Sequence, residues 1–451
     1  MGIGWNMGNT FDCYSYNKTI NIPDEPIKIW GNRMPTKELF INIKKYGFKT
    51  IRFPITWMYF MNEEGIIDKI WFLKIKEVVD WIINLNMYCI INVHHDGSNQ
   101  NWLSKGEESK EKFILLWKQI SEEFKDYDEY LIFECMNDIE YYNFTLLYIF
   151  NQEFINIIRN SENKNKERLL ILSGANKQLD FTCSHDYKLP IDPYNKFAIS
   201  IHYYLPSSFT IEHDFDPWTY IDGNGEKHIV TPLTKWGNDD DYKEMFSYFE
   251  NLKKIYVDKG IPIIITETGV LTEEKKELES IIKYLYVEFS MSGSYNGIMS
   301  CLWDNSNKKE GGMNYYDRIN NKFYETKIGE NFKKISRGKF SKPTDYYISS
   351  NIDSTYTTNS DGNLEIRIGT KKVLKVIFNA NIFINKLNMV GFRIESNDKN
   401  GICVGDEISG TKGKNNMMVV IPLLMMQVVK IITIIFKFKN GGDMIILFLI
   451  I

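Results

Sequence analysis

Apolar positions in this chain gather into eight short runs, at residues 2–8, 49–55, 88–95, 130–137, 169–174, 197–204, 261–266 and 297–304. Each run is nearly continuous rather than alternating, the pattern of a strand buried on both faces of a parallel sheet. The stretches between them carry the helical period instead. In 36–48, Leu39, Phe40, Ile43 and Tyr46 share one helical face, and 70–85, 113–124, 244–257 and 273–289 behave alike. Strand–helix alternation repeated about eight times predicts an α/β fold, a (β/α)8 TIM barrel over residues 1–340. An open doubly wound sheet would favour a glycine-rich phosphate loop after the first strand, and no G-x-G-x-x-G occurs there.

A last helix is expected around 325–335, and from Pro343 the texture changes. Ser, Thr, Asn and Gly become frequent, Leu364, Ile366 and Ile368 alternate with polar neighbours, and 373–377 repeats the theme. Residues 341–451 are therefore expected to form a small β-rich accessory region. Its end is atypical: 417–429 is almost wholly apolar, Lys430, Lys437 and Lys439 interrupt, and 444–451 is apolar again. Neither piece reaches the ~20 residues that span a bilayer, so a buried terminus is expected in preference to a membrane anchor.

Charge narrows the partners. Lys and Arg total 54 against 58 Asp and Glu, a net charge of −4, and no basic stripe suggests nucleic acid. The six cysteines form no CxxC pair; Cys89, Cys135 and Cys301 fall inside apolar runs and read as small buried hydrophobes, not as a disulfide framework. Aromatic residues reach 14%, which fits thick barrel packing better than it fits stacking platforms alone. Met1 is followed at once by strand-like sequence, so no signal peptide is recognisable.

Two segments carry the chemistry. Phe133-Glu-Cys-Met-Asn-Asp138 and Ile263-Ile-Ile-Thr-Glu-Thr-Gly269 each end an apolar run in a carboxylate. Two acids at the mouths of two buried strands are the minimum equipment for cleaving a glycosidic bond, and an ionisable group there is costly unless used or paired. In a barrel all strand ends of one polarity face one mouth. The second strand then contributes Arg52, the third His94 and His95, the fourth Asn137 and Asp138, the sixth His202 and Tyr204, the seventh Glu267 and the eighth Trp303. Taken singly, each has a structural alternative: Arg52 could simply pair with Glu134, the two histidines could be a hydrogen-bonded pair or a metal fragment, and Trp303 could be core. Six strands carrying polar or aromatic residues at the same end are better explained by a site.

The same segments, Gly4-Trp-Asn-Met-Gly-Asn-Thr10, Ile51-Arg-Phe-Pro54, Asn92-Val-His-His-Asp96, Asn137-Asp138, His202-Tyr-Tyr204, Thr266-Glu-Thr-Gly269 and Leu302-Trp-Asp304, resemble glycoside hydrolase family 5, closest to its bacterial and anaerobic-fungal endoglucanase branch. The resemblance spans 1–337 and rests on seven motifs in order. It implies a retaining endo-β-1,4-glucanase without cofactor or metal, secreted and monomeric, acting on cellulose or a related β-glucan and not on nucleic acid or a membrane. By the same resemblance Glu267 is the nucleophile and position 138 the acid/base. Asn137 holds the sugar 2-hydroxyl, Arg52 and Tyr204 steady Glu267, His94, His95 and His202 line the substrate site, and Trp303 is its stacking floor.

One residue departs from that pattern. The family has glutamate where this chain has Asp138. The missing methylene leaves the carboxyl short by roughly 1 Å, a displacement that can cost about a hundredfold in rate. A weakened or inactive β-glucan-binding homologue is the alternative. A metallohydrolase built on His94, His95 and Asp96 is a poorer one, because barrel metal sites gather ligands from several strands. Phe209, Trp218 and Trp236, in the long segment 205–236, are candidate further sugar platforms.

Overall fold

The structure is a computed structural model that describes residues 1–14, 28–97, 101–137, 143–161, 163–212, 217–221, 227–306 and 312–338, together with nine strands beyond 353. The chain divides into two compact units, Met1–Pro343 and Thr344–Ile451.

The first unit is a closed parallel barrel. Its strands are β1 (Gly4–Asn6), β2 (Thr50–Phe53), β3 (Tyr88–Asn92), β4 (Leu131–Glu134), β5 (Leu170–Ser173), β6 (Phe197–Tyr203), β7 (Ile263–Thr268) and β8 (Ile298–Leu302). Each lies beside its sequence neighbour, and β1 closes onto β8 through Gly4 against Cys301 and Trp5 against Leu302. Each of the eight expected runs overlaps one of these strands, and seven contain theirs whole; β7 runs two residues past the end of its run. The other seven strands are shorter than their runs because the apolar text continues into turns that are buried as well. Around them pack α1 (Lys37–Lys45), α2 (Lys69–Ile83), α3 (Lys110–Glu123), α4 (Phe144–Asn160), α5 (Asp239–Ile255), α6 (Leu278–Ser294) and α7 (Thr326–Ile335). After β5 there are two short helical turns, Ala175–Lys177 and Leu179–Thr182, in place of a long helix.

Local sequence explains where the helices begin. Asp68 caps α2 by accepting from the Ile70 amide, and Asn143 caps α4 through the amides of Thr145 and Leu146. At α5, Asn238 and Asp241 form a reciprocal capping box. The buried faces follow the 3.6 period: Leu39, Phe40 and Ile43 on α1, and Trp71, Phe72, Ile75, Val78, Val79 and Ile82 on α2. The segment expected as a long loop after β6 contains a hairpin, Trp218–Ile221 with Lys227–Val230. The five described cysteines are all free, with Cys89, Cys135 and Cys301 fully buried. No described helix is long and apolar enough to cross a membrane.

In the second unit the described strands form two antiparallel sheets. One has the order 354–358, 364–368, 372–378, 389–396, 417–422; the other has 407–409, 402–404, 431–437, 445–450. Of the apolar text near the end of the chain, 417–422 and 445–450 thus belong to strands, and 423–429 lies outside the described residues.

Candidate active site

Inside the barrel, polar residues from the upper ends of β1, β4 and β7 converge on one arginine of β2. Arg52 is fully buried, and all five of its N–H groups are used. Nε and Nη2 donate to the two oxygens of Glu134 at 2.6 and 3.1 Å, while Nη1 donates to Glu267 Oε1 at 2.8 Å and to Asn6 Oδ1 at 2.9 Å. The remaining Nη2 hydrogen goes to Asn137 Oδ1 at 2.7 Å. The planar guanidinium thereby fixes β1, β2, β4 and β7 to one another at the mouth. Burial alone would lower the Arg52 pKa, but the two carboxylates push it up. Glu134 behaves correspondingly: burial would raise it, yet Arg52 and Lys177 hold it down at about 2.

Glu267 lies on β7 with 7% of its surface exposed, enough for one oxygen to meet a ligand. Its Oε1 takes the Arg52 bond and lies 3.5 Å from His202 Nε2; its Oε2 accepts from the Tyr204 hydroxyl at 3.1 Å. A cation and a phenol both favour the negative form of a carboxylate. Asn137 follows β4 and is anchored by its amide to Val93 O. With its Oδ1 taken by Arg52, the group it can offer a sugar hydroxyl is the Nδ2 donor. Asp138 lies outside the described residues.

His94 is held in one tautomer. Asn92 Oδ1 accepts from the Ile55 amide, so Asn92 Nδ2 is the donor that meets His94 Nδ1 at 3.1 Å. Nδ1 therefore accepts and Nε2 carries the hydrogen, an assignment that rests on the bonding network. Burial, then His95 and Arg52, hold the His94 pKa well below its usual value, so the ring is neutral. Its plane is parallel to Trp303, 5.7 Å away at 7°. Trp303 is half-buried, and its amide donates to Thr268 O. Gly8 permits that seat, since a Cβ there would come within 2.7 Å of the indole. His95 lies to one side, against Tyr14 and Trp30 at 4.9 and 5.5 Å between ring centres.

The structure corrects two expectations. Phe209 is fully buried and Trp236 is 4% exposed. They pack against Tyr284, and Trp236 also against Tyr242, so neither is a sugar platform; the Trp218 side chain is outside the described residues. Asp96 is equally structural, accepting from the Trp57 amide and from Trp102 Nε1, both at 2.8 Å. It is Asp12 that approaches His94 and His95, with one potential ligand atom of each within 4.8 Å of the others. The fit to a metal is poor. Asp12 already caps the amides of Asn9 and Thr10, and the His94 lone pair faces Asn92.

Sequence reasoning missed Asn6, Asn92 and Lys177. The asparagines had a signal, being polar residues inside apolar strands, which burial allows only when they are bonded. Lys177 had none; it sits in a turn after β5, and nothing in its neighbourhood marks it as internal.

The match to known proteins is broad. The family model for cellulase (glycosyl hydrolase family 5) matches residues 8–309. Endoglucanase A of Clostridium longisporum is 29% identical over 356 residues, which cover 75% of this chain and 61% of that relative. The structure of a GH5-4 broad specificity endoglucanase from an uncultured bovine rumen ciliate is 50% identical with a TM-score of 0.72, covering 75% of this chain and 96% of that one. A family 5 xyloglucanase from Paenibacillus pabuli, in complex with ligand, gives 28% identity and a TM-score of 0.64 over 74% and 98% of the two chains. The matched span contains Arg52, Glu134, Asn137, Glu267 and the tryptophan beyond β8; of the Arg52 partners only Asn6 precedes it. The chain belongs to glycosyl hydrolase family 5, the cellulase family.

Proposed function

We propose that this chain is an endo-β-1,4-glucanase that hydrolyses cellulose and related soluble β-glucans by retaining double displacement. Glu267 is the nucleophile and Asp138 the acid/base. The observation that carries the reading is the setting of Glu267, a nearly buried carboxylate gripped by Arg52 and Tyr204 and still open to a ligand. The broad specificity named for the ciliate endoglucanase, at 50% identity, supports a range of β-glucan backbones. Action on such polymers fits an enzyme working outside the cell; our reading adds a monomer with residues 341–451 as an accessory domain.

In the first half-reaction a Glu267 oxygen bonds to the anomeric carbon as the glycosidic C–O bond breaks, and Asp138 gives its proton to the departing oxygen. In the second, Asp138 takes a proton from water, the water oxygen bonds to the anomeric carbon, and Glu267 leaves. Arg52 and the Tyr204 hydroxyl hold one face of Glu267 so that its lone pair points at the sugar. Asn137 Nδ2 donates to the 2-hydroxyl, where bonds strengthen as the oxocarbenium character grows. His94, neutral with hydrogen on Nε2, offers a second donor to the ring hydroxyls. Trp303 supplies a flat apolar face beneath the pyranose.

The aspartate at 138 favours a second reading, a β-glucan-binding homologue with little turnover, because a carboxyl about 1 Å short protonates the leaving group poorly. One series decides. Reducing ends released from carboxymethyl-cellulose and xyloglucan are measured for the native chain, Asp138→Glu and Glu267→Gln, with the anomer of the first product read by NMR. Expected are β-product from the native enzyme, a gain in Asp138→Glu, and loss of turnover in Glu267→Gln. Activity that survives in Glu267→Gln overturns the nucleophile assignment. Native protein that binds β-glucan without cleaving it establishes the second reading.

A further inference from the structure

Beneath the catalytic layer lies a lysine that the hydrolysis does not touch directly. Lys177 follows β5 in a turn where it and Asn176 both have left-handed backbone, φ of 51° and 48°. That conformation is unfavourable for a side-chain-bearing residue and persists only where the surroundings enforce it. Its consequence is direction: Lys177 is 1% exposed, and its ammonium points into the barrel, onto Glu134 Oε1 at 2.8 Å and the Ser200 hydroxyl. Ser200 is itself fixed on Leu172 O.

Glu134 is the carboxylate that Arg52 also holds, and Arg52 is the residue that grips Glu267. The four groups form a chain of alternating charge, Lys177, Glu134, Arg52, Glu267, with two cations and two anions. Facing Glu267 from the other elements are His202 on β6 and Tyr204 just beyond its end. Neutral His94 stands on the β3 side, and two buried thiols, Cys135 and Cys301, are held protonated, chiefly by burial. Lys177 is thus the cation that balances Glu134 among the described residues around Arg52.

We propose that Lys177 is a positioning residue for the hydrolysis: by taking a share of Glu134, it leaves the charge and the Nη1 donor of Arg52 to Glu267. Without it, Arg52 faces two carboxylates alone, and the cluster carries a net negative charge beside the nucleophile. A negative surplus beside a carboxylate favours its neutral form. This rests on the assignment of Glu267 as nucleophile. It adds that the lower edge of the working pH range is set from the far side of Arg52.

The test is the pH dependence of kcat/KM on a dinitrophenyl β-cellobioside, whose leaving group departs without a proton, so that the acid limb reports on Glu267 and not on residue 138. Lys177→Met is expected to move that limb upward by about one pH unit, with an on the order of tenfold loss at the acid end and a smaller one near neutrality. Lys177→Met combined with Glu134→Gln restores the charge balance, and its limb should return to that of the native enzyme. Lys177→Gln keeps a donor towards Glu134 and carries the same prediction if the methionine variant does not fold. An unmoved limb in a folded Lys177 variant, with only the melting temperature lowered, overturns the proposal. So does a limb that stays displaced in the double variant. Glu267→Gln separates the two readings: if it still turns over this substrate, the nucleophile assignment fails. If it is inactive while the Lys177 limb stays put, only the role of Lys177 fails.

Discussion

The two ends of the barrel lumen differ by one pleat of each strand. Lower down, Ile90, Ile132, Ile171, Ala198, Ile264 and Cys301 form a dry cluster, packed by Met299 and Tyr88. Two residues further along the same strands, roughly 6.6 Å, stand Asn92, Glu134, Ser200 and Thr266 in place of Ile90, Ile132, Ala198 and Ile264. Both layers are buried; Glu134 and Ile132 differ by a single per cent in exposure. The lower layer needs only volume and shape to be stable. The upper one must satisfy every donor and charge, because removing one partner leaves the others buried and uncompensated. Identical burial thus hides opposite vulnerabilities.

The contrast can be broken by substitution. Arg52→Met should have the largest effect: about 3–5 kcal/mol of stability, and a loss in turnover on the order of 10²–10³, read by denaturant melts and by reducing-sugar release. Ile132→Ala should cost a comparable ~2–5 kcal/mol yet leave kcat per folded molecule unchanged. If it lowers kcat as Arg52→Met does, the two layers are not separable. Outside the lumen, Glu288 on α6 tests burial without a cation. It is fully buried, accepts from Ser300 at 2.7 Å, and burial pushes its pKa up to about 8. A carboxyl raised on folding contributes stability that is complete below its unfolded value of about 4.5 and fades as pH rises through about 8. Melting temperatures of Glu288→Gln and native protein should therefore converge near pH 4.5, with the variant ahead above pH 8. Smallest is Tyr204→Phe, which should lose about tenfold in kcat/KM, the worth of roughly one hydrogen bond to charge, with little change in melting temperature.

Much of this was readable from the sequence because the fold writes it locally. The eight runs announce strands, and the break of each run into Arg52, His94, Asn137, His202 or Glu267 announces the mouth. Glu134 could be named as the partner of Arg52 for the same reason, a lone acid in an apolar strand. What failed was whatever depended on non-local packing. Phe209 and Trp236 look like platforms in a polar stretch, but the chain folds them inward under Tyr284. Helix α4 has buried Leu147, Phe150, Phe154, Ile155 and Ile158 on one face, yet its polar neighbours obscured the period. Lys177 was invisible because its direction comes from two left-handed backbone angles that no composition reports.

The seat of Trp303 has a consequence for when this protein becomes competent. The indole lies against Gly8, the Gly8 amide donates to Asp304 O, and Arg318 reaches both carbonyls, at 3.0 and 2.6 Å. Trp303, the proposed floor of the cleft, is therefore hung on the seam where the first strand meets the last, between partners some three hundred positions apart in sequence. Such distant pairings form late, after the intervening loops have closed. On the proposed reading of Trp303 as the stacking face, affinity for sugar there is a property of the finished cylinder, acquired at the moment of closure.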